Sequence, residues 1–322
     1  MNLLTGAYVI VNAVTDEAII VRGLRKSYSR TKPAVDGVDL TVARGEVFAL
    51  LGPNGAGKTT TVEILEGFRK RDAGDVTVLG VDPAHGGREW RSRVGIVLQG
   101  TGEFDELRVS EVVRLFAGYY PHPDDPAAVI ERVGLADKAN ALTHTLSGGQ
   151  KRRLDVALGV IGRPELLFLD EPTTGFDPQA RREFWELIRD LSRAGTTILL
   201  TTHYLEEAEA LADRVGVISA GKLLAAAPPG SLGDRAQAPA RVSWTGPDGP
   251  DSVQTQTPTE YVRQLAQRFG GEVPGLTVSR PSLEDVYLAM IGGPLMSTEP
   301  TASEHRRAAR PEERNERGGE AS

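Results

Sequence analysis

The hydrophobic and polar positions near the start of the chain alternate in short runs. Alternation with a two-residue period, broken by turn glycines, is typical of antiparallel strands. It occurs in AIIVRGL, GVDLTVARGEVFALLG and GDVTVLG, which begin at Ala18, Gly37 and Gly74. Further on, apolar residues recur at every third or fourth position in SEVVRLFAGYY and PAAVIERVGL. That spacing predicts amphipathic helices, which we expect within a helical insertion of about residues 100–162.

Continuously apolar runs follow and alternate with helical patterns. The runs are ELLFLDEP, TTILLTTH and RVGVISAG, and the helical patterns between them are PQARREFWELIRDLSRAG and YLEEAEALA. Strands that are buried on both faces and alternate with helices indicate a parallel sheet. We therefore predict an α/β fold for the main part of the chain.

The pattern weakens towards the C-terminus. Residues 228–259 are rich in Pro, Gly, Ser, Gln and Asp around a strand-like RVSW, and the helical TEYVRQLAQRF and strand-like LTVSR come next. Ser282 and Asp285 form a capping-box pattern that predicts the start of a last helix. We interpret residues 228–296 as a small α+β appendage and expect the charged residues 297–322 to be disordered. Residues 1–17 precede the first predicted strand as an N-terminal extension.

Composition excludes several kinds of function. The chain has 322 residues and no cysteine, which rules out disulfides and thiolate metal sites. Its formal net charge of −7 creates no overall basic field for binding nucleic acid, and we expect no such partner. No apolar run reaches the roughly 18 residues of a membrane-spanning helix. The candidate LLTGAYVIVNAV from Leu3 is too short.

A glycine-rich loop predicts a phosphate site. It follows an apolar strand and precedes a helical pattern, the context that such a loop requires. Its glycines allow successive N–H groups to face an anion, its lysine places an ammonium between the outer phosphates, and its first threonine offers a hydroxyl to Mg²⁺. We assign binding of a nucleotide triphosphate to Gly52, Pro53, Asn54, Gly55, Ala56, Gly57, Lys58, Thr59 and Thr60.

Two carboxylates and a histidine complete the candidate chemistry. Asp170 and Glu171 end the run LLFLDEP, at the carboxyl end of a predicted strand, where open α/β sheets bind ligands. Asp170 is suited to hold Mg²⁺ through water and Glu171 to accept a proton from an attacking water. His203 follows the neighbouring predicted strand, so parallel packing is expected to place it beside Glu171.

In this order the motifs resemble the nucleotide-binding subunit of ATP-binding cassette (ABC) transporters. The resemblance runs from about Ile19 to Ala225 and consists of the phosphate loop, Gln99 after GIVL, LSGGQ, LFLDEP, TTGFDP and His203. It implies a P-loop NTPase cassette at residues 18–227, with a mixed sheet core, an antiparallel β subdomain and the helical insertion. ATP and Mg²⁺ are the implied cofactors.

The resemblance also implies roles for single residues. Tyr28 is expected to stack on adenine, and Gln99 to touch Mg²⁺ and sense the transmembrane partner. His203 becomes a catalytic switch that contacts the γ-phosphate, Glu171 the catalytic base, and Asp177 a contact between subunits in the D-loop. Where the family often has Leu this chain has Phe176, which we expect to be a change in packing.

The segment LSGGQ is expected to act on a second molecule. In the family it caps the γ-phosphate held by a partner subunit, and a helix start rich in Ser and Gly suits an anion. The implied arrangement is a head-to-tail homodimer that encloses two ATPs. The residues of this trans signature are Leu146, Ser147, Gly148, Gly149 and Gln150.

Less specific segments resemble drug and antibiotic exporters of the daunorubicin-resistance type. We therefore expect an exporter ATPase that works with a separate ABC-2-type permease at the cytoplasmic face of the membrane. An importer subunit stays an alternative. A soluble ABC ATPase acting on chromosomes or ribosomes is disfavoured because long coiled coils and a second cassette are missing from this sequence. A bare structural module is disfavoured because Lys58, Asp170, Glu171 and His203 are intact.

Overall fold

The computed structural model describes residues 16–29, 32–97, 104–235 and 237–292. The predicted tail and all but the last two residues of the predicted N-terminal extension lie outside these ranges, as does Gln99. None of the helices within these ranges has the length and apolar character needed to cross a membrane.

Strands and helices follow one another much as the hydrophobic pattern predicts. The strands are β1 (Glu17–Ser27), β2 (Pro33–Ala43), β3 (Val47–Leu51), β4 (Ala73–Val78), β5 (Val94–Val97), β6 (Leu166–Asp170), β7 (Thr197–Thr202), β8 (Arg214–Ser219), β9 (Lys222–Ala227), β10 (Ala240–Gly246), β11 (Gly249–Thr255) and β12 (Thr277–Ser279). The helices are α1 (Lys58–Leu65), α2 (Arg88–Ser92), α3 (Val109–Ala117), α4 (Pro126–Arg132), α5 (Gly148–Val160), α6 (Pro178–Arg193), α7 (Leu205–Leu211), α8 (Pro258–Phe269) and α9 (Leu283–Met290).

A mixed sheet forms the centre of the molecule. Its strand order is β5-β6-β7-β3-β8-β9; neighbours pair in parallel, except that β9 runs antiparallel to β8. In β3, Phe48 and Leu50 pack on one side of the sheet, while Ala49 and Leu51 pack on the other. Both faces are thus buried, which explains the continuously apolar sequence of this strand.

One sequence-based interpretation was wrong. The run GVDLTVARGEVFALLG was grouped with the antiparallel strands, but it divides between two sheets. Its first part lies in β2, which belongs to the antiparallel sheet of order β2-β1-β4. Its last part is β3, whose five residues are all buried and pair in parallel with β7 and β8. The alternation that indicates an antiparallel strand ends before the glycine turn at Gly45.

Helices cover one side of the central sheet. The helices α3, α4 and α5 contribute Val112, Val129 and Val156 to the same buried cluster as Leu169 of β6. These helices fall within the predicted helical insertion, whose first residues lie outside the described ranges. The opposite side packs on the antiparallel sheet, so the chain forms layers around two continuous cores.

The C-terminal part contains a separate small sheet of order β11-β10-β12. Its core holds Val242 and Trp244 of β10 and Leu265 of α8. The strand β11 was not predicted because its sequence, GPDSVQT, carries little apolar alternation. The last helix, α9, begins at the predicted cap: Ser282 Oγ accepts a hydrogen bond from Asp285 N at 3.1 Å. Its residue Tyr287 packs into the main core rather than against the small sheet.

Candidate active site

The phosphate loop leads from β3 into α1 with a helix start that no side chain caps. Gly57 is the N-cap residue, with φ 106°, and no side-chain hydrogen bond caps the helix. Gly55 also has a left-handed φ of 77°. A Cβ atom at Gly52 would lie 2.3 Å from the carbonyl oxygen of Ile218, so only glycine fits there. The first N–H groups of α1 have no acceptor within the helix and are available to an anion.

Lys58 lies beneath this loop and is almost fully buried. Its side chain is 5% exposed, and Nζ lies 3.3 Å from Glu171 Oε1. The same ammonium donates hydrogen bonds to the carbonyl oxygens of Gly52, at 2.8 Å, and Pro53, at 3.4 Å. A buried cation needs such partners, and a polyphosphate would supply stronger ones.

Asp170 and Glu171 stand at the carboxyl end of β6, next to β7. The hydroxyl of Thr201 donates to Asp170 Oδ1. The N–H of Glu171 donates to Thr201, with acceptor distances of 3.1 Å to the carbonyl oxygen and 3.0 Å to Oγ1. Glu171 has a left-handed φ of 43°, which is uncommon for a residue with a side chain and is maintained by these contacts.

His203 lies beside Glu171, as its position after the neighbouring strand predicts. Its Nδ1 is 3.2 Å from Glu171 Oε2, and its ring centroid is 4.1 Å from that of Tyr204. The Glu171 side chain is 16% exposed and lies between the imidazole of His203 and the ammonium of Lys58. Three of the predicted residues therefore converge at one edge of the sheet.

Tyr28 follows β1 and lies next to the phosphate loop. Its hydroxyl is 3.3 Å from Thr60 Oγ1, and the guanidinium of Arg69 lies 5.1 Å from the ring centroid. The side chain is 57% exposed, so an apolar ring face is open to solvent beside the loop. This position is compatible with the stacking role that the resemblance implies.

The predicted trans signature begins α5 and is capped from within. Ser147 Oγ accepts a hydrogen bond from Gln150 N at 3.3 Å, and Gln150 Oε1 accepts one from Ser147 N at 3.0 Å. Leu146 is buried, whereas Ser147 and Gly148 are exposed. Among the described residues, no hydrogen bond or ion pair joins Leu146–Gln150 to the phosphate loop of the same chain.

Asp177 takes the N-cap position of α6. Its Oδ1 accepts hydrogen bonds from the N–H groups of Gln179 and Ala180, each at 2.9 Å. The neighbouring Phe176 packs edge-to-face on Phe184 with ring centroids 5.6 Å apart. The change in packing expected at this position stays a prediction.

Sequence reasoning missed two buried charged residues that hold this site. Arg152 of α5 donates from Nε to Pro172 O at 3.1 Å and from Nη2 to Asp170 O at 2.8 Å. Glu207 of α7 accepts from Thr173 Oγ1 at 2.8 Å. A weak signal existed in each case: Arg152 shares a helix face with the buried Val156, and Glu207 shares one with Leu211.

Burial changes the pKa of several groups near the site. It raises the pKa of the Glu207 carboxyl, while hydrogen bonds from Thr202, Thr173 and Trp185 act in the opposite direction. Burial lowers the pKa of the Arg152 guanidinium, which nearby carboxylates partly offset. Burial, followed by the charges of Asp170 and Glu63, raises the pKa of Glu66 to about 7. Burial is thus the largest cause of each of these three shifts.

The residues present fit a nucleotide triphosphate and a magnesium ion. The loop offers uncapped N–H groups and a buried ammonium to phosphate oxygens. Thr59 is exposed at the start of α1, and Asp170 brings a carboxylate to the same sheet edge. A hydroxyl and a carboxylate are oxygen donors of the type that Mg²⁺ prefers.

The comparisons with known proteins agree with this geometry. The family model described as ABC transporter matches residues 35–174. The daunorubicin resistance ATP-binding protein DrrA3 of Streptomyces coeruleorubidus is 39% identical over 310 residues, which cover 87% of this chain and 97% of that protein. The chain belongs to the ABC transporter ATP-binding family. It is an ATPase that couples ATP hydrolysis to transport.

Two further matches extend this result. The fluoroquinolones export ATP-binding protein of Mycobacterium tuberculosis is 41% identical over 239 residues, which cover 73% of this chain and 79% of that protein. A solved structure of the ATP-binding subunit of an ABC transporter has a TM-score of 0.62 at 22% identity and covers 85% of this chain and 99% of its own. The α/β cassette fold is thus confirmed. Subunits of this family dimerise and work with a membrane permease.

Proposed function

We propose that this chain is the ATP-hydrolysing subunit of an ABC exporter for a drug, antibiotic or lipid-like compound. The observation that carries the proposal is the convergence of Lys58, Glu171 and His203, with Glu171 oxygens 3.3 Å and 3.2 Å from the two basic side chains. A carboxylate that lies between a lysine ammonium and an imidazole at the end of a parallel strand is suited to phosphoryl chemistry.

The ATP site is divided among residues with different tasks. The loop Gly52–Thr60 binds the phosphates, Lys58 neutralises the outer ones, and Tyr28 stacks on the adenine. Thr59 and Asp170 hold Mg²⁺, together with Gln99, which lies outside the described residues. The metal neutralises charge on the phosphate oxygens when it is bound.

Glu171 acts as the general base in this proposal. Its carboxylate accepts a proton from the attacking water, and His203 orients the side chain through the contact at 3.2 Å. Loss of the γ-phosphate then removes the anion that holds two subunits together.

The second half of each ATP site comes from another copy of the chain. Ser147 and Gly148 are exposed at the start of a thirteen-residue helix and make their described hydrogen bonds only within that helix start. An exposed helix start favours binding of an anion, here the γ-phosphate held by the partner. Asp177, at the start of α6, contributes to the same contact between subunits.

The export assignment includes a separate ABC-2-type permease and a position at the cytoplasmic face of the membrane. Support comes from two relatives, one named for daunorubicin resistance and the other for fluoroquinolones export. Inverted membrane vesicles that contain this chain and its permease test it, with daunorubicin and a fluoroquinolone as probes. ATP-dependent accumulation that Glu171→Gln abolishes supports export. ATP-dependent uptake by right-side-out vesicles, requiring a binding protein, would contradict it and favour the importer alternative.

A further inference from the structure

The candidate base lies on a short turn that is held from two sides. We call residues 170–173, which connect β6 to the segment before α6, the base turn. Glu171 adopts a left-handed φ of 43° within it. Backbone of this kind persists only where surrounding contacts stabilise it. The hydrogen bonds to Thr201 account for the N–H of Glu171, but the carbonyl groups and side chains around it need other partners.

Arg152 supplies the partners on one side. It projects from α5, whose N-terminus carries the exposed Ser147, and its side chain is 8% exposed. The guanidinium donates to Asp170 O at 2.8 Å and to Pro172 O at 3.1 Å, the two carbonyl groups that flank Glu171. A rigid planar fork with several donors can reach both acceptors at once, which a single ammonium cannot.

Glu207 supplies the partners on the other side. It projects from α7, which begins two residues after His203, and it is fully buried at 0% exposure. Its Oε1 accepts from Thr173 Oγ1 at 2.8 Å and from Trp185 Nε1 at 3.3 Å. Trp185 lies in α6, and Thr173 is the last residue of the base turn. The carboxylate, on the helix that follows His203, therefore connects that helix to the base turn and to α6.

Holding a turn with two buried side chains of opposite charge costs free energy of desolvation. Taking charged groups out of water costs free energy that only well-formed hydrogen bonds offset, so a purely structural connection is commonly apolar. Here Arg152 donates to two carbonyl oxygens of the base turn and also lies 3.7 Å from Asp155 Oδ2. Glu207 accepts from Thr173 of the turn and from Trp185 of α6. Each charged group also comes from a helix next to another part of the proposed site: Ser147 is the N-cap residue of α5, and His203 lies two residues before α7.

We propose that Arg152 and Glu207 are positioning residues that hold Glu171 in line for hydrolysis and transmit the placement of the signature helix and of His203 to it. Neither is among the residues assigned to nucleotide binding. The proposal rests on the base role proposed above for Glu171, and it adds the side chains through which the two ends of a composite site act on that base.

The first test compares the same conservative change at neighbouring positions. Arg152→Lys keeps the charge but cannot span both carbonyl groups, so kcat for ATP should fall by about tenfold or more while ATP affinity is unchanged. Arg153→Lys is the matched control. Arg153 contacts Val133 O and Glu183, each at 3.1 Å, and not the base turn, so its kcat should stay within about twofold of the parent.

The second test uses rescue at position 207. Glu207→Leu leaves the donors of Thr173 and Trp185 unpaired and should lower kcat by about tenfold or more. Glu207→Gln provides an amide oxygen for the same donors and should recover most of it. The matched control is Glu206→Leu, because Glu206 is 80% exposed and lies outside this network. Equal loss in the Gln and Leu variants would overturn the role of Oε1.

Amide hydrogen exchange separates this proposal from the function on which it rests. Arg152→Lys in the full-length protein should speed exchange in a peptide covering residues 171–176 and leave one within α6 unchanged. Unchanged exchange at 171–176 would overturn the positioning role. Faster exchange with unchanged ATP turnover would show that the turn loosens without effect on hydrolysis and would also overturn the positioning role. Failure of the base role is recognised separately, by normal turnover of Glu171→Gln. Faster exchange together with lower kcat, at unchanged ATP affinity, is the expected result.

Discussion

The phosphate loop and the signature segment are both glycine-rich helix starts, yet they differ in what surrounds them. The loop closes over Lys58, whose ammonium lies 3.3 Å from Glu171 and is buried with it. The signature segment exposes Ser147 and Gly148, and its described side-chain hydrogen bonds join only Ser147 and Gln150. One helix start is part of a convergent site within the chain, whereas the other makes no described hydrogen bond or ion pair with that site.

Two helix starts of similar local structure can therefore form the two ends of one site. Both helix starts offer N–H groups and a favourable dipole to an anion. The loop closes over the ammonium of Lys58 and the carboxylate of Glu171 of its own chain, and among the described residues no hydrogen bond or ion pair joins the signature segment to either. The signature segment therefore needs chemistry from elsewhere, and a second copy of the chain supplies it in our account.

We call the phosphate loop with Lys58, Glu171 and His203 the buried half of the site, and the signature segment Leu146–Gln150 the exposed half. The largest effect should come from a substitution in the buried half. Glu171→Gln keeps the shape of the side chain but removes the proton acceptor, so kcat should fall by about 10²- to 10⁴-fold with ATP affinity retained. Steady-state hydrolysis and nucleotide titration measure the two quantities. Glu186→Gln, on an exposed face of α6, is the matched control and should hydrolyse ATP normally. Normal turnover by Glu171→Gln would refute the base role.

Ser147→Arg tests the exposed half at a similar scale. A bulky cation at the start of α5 blocks the approach of a second subunit, so hydrolysis should fall by on the order of 10²-fold or more. Equilibrium binding of ATP to the isolated chain should not change, because Ser147 makes no described contact with its own loop. Ser252→Arg, exposed on β11, is the control. A parallel loss of ATP affinity would place the signature segment in the chain's own site.

Lys58→Ala should act on binding rather than on turnover alone. Loss of a charge-assisted contact of about 2 kcal/mol weakens ATP affinity by ~30-fold. Isothermal titration with ATP measures this change, and Lys70→Ala, at an exposed position after α1, is the control. Unchanged affinity would remove Lys58 from the phosphate site.

The smallest effect is expected at the edge of the buried half. Tyr28→Ala removes a stacking surface worth about 1 kcal/mol, which is ~5-fold in ATP affinity. Tyr28→Phe keeps the ring and loses only the hydroxyl contact with Thr60, at 3.3 Å, so it should bind ATP nearly as the parent does. Equal affinities for all three proteins would contradict the stacking role.

The buried half of the site was largely predictable from local sequence. The glycines and lysine of the phosphate loop and the carboxylates at the end of β6 follow known sequence patterns. The proximity of Glu171 and His203 follows because the carboxyl ends of parallel strands meet at one edge of the sheet. The capping box at Ser282 follows from spacing alone and is confirmed. The roles of these site residues in catalysis stay predictions.

Other features depend on tertiary packing and could not be predicted. The strand β3 belongs to the parallel sheet, and both of its faces are covered. In the sequence its apolar run directly follows the alternating run of β2, so the pattern does not show that the two runs belong to different sheets. The strand β11 forms by pairing with β10 despite a polar sequence. Arg152 and Glu207 contact the base turn only once the helices that carry them pack beside it. In a sequence, charged residues on a helix usually indicate a solvent-exposed face.

A mixed dimer tests whether each ATP site combines residues of two chains. One dimer carries Ser147→Arg on one chain and Lys58→Ala on the other; its control carries both substitutions on one chain beside an unchanged partner. If each site combines the loop of one chain with the signature of the other, the first dimer keeps one intact site and hydrolyses ATP, while the control keeps none. The opposite result, an inactive first dimer and an active control, would contradict the account and place both halves within one chain.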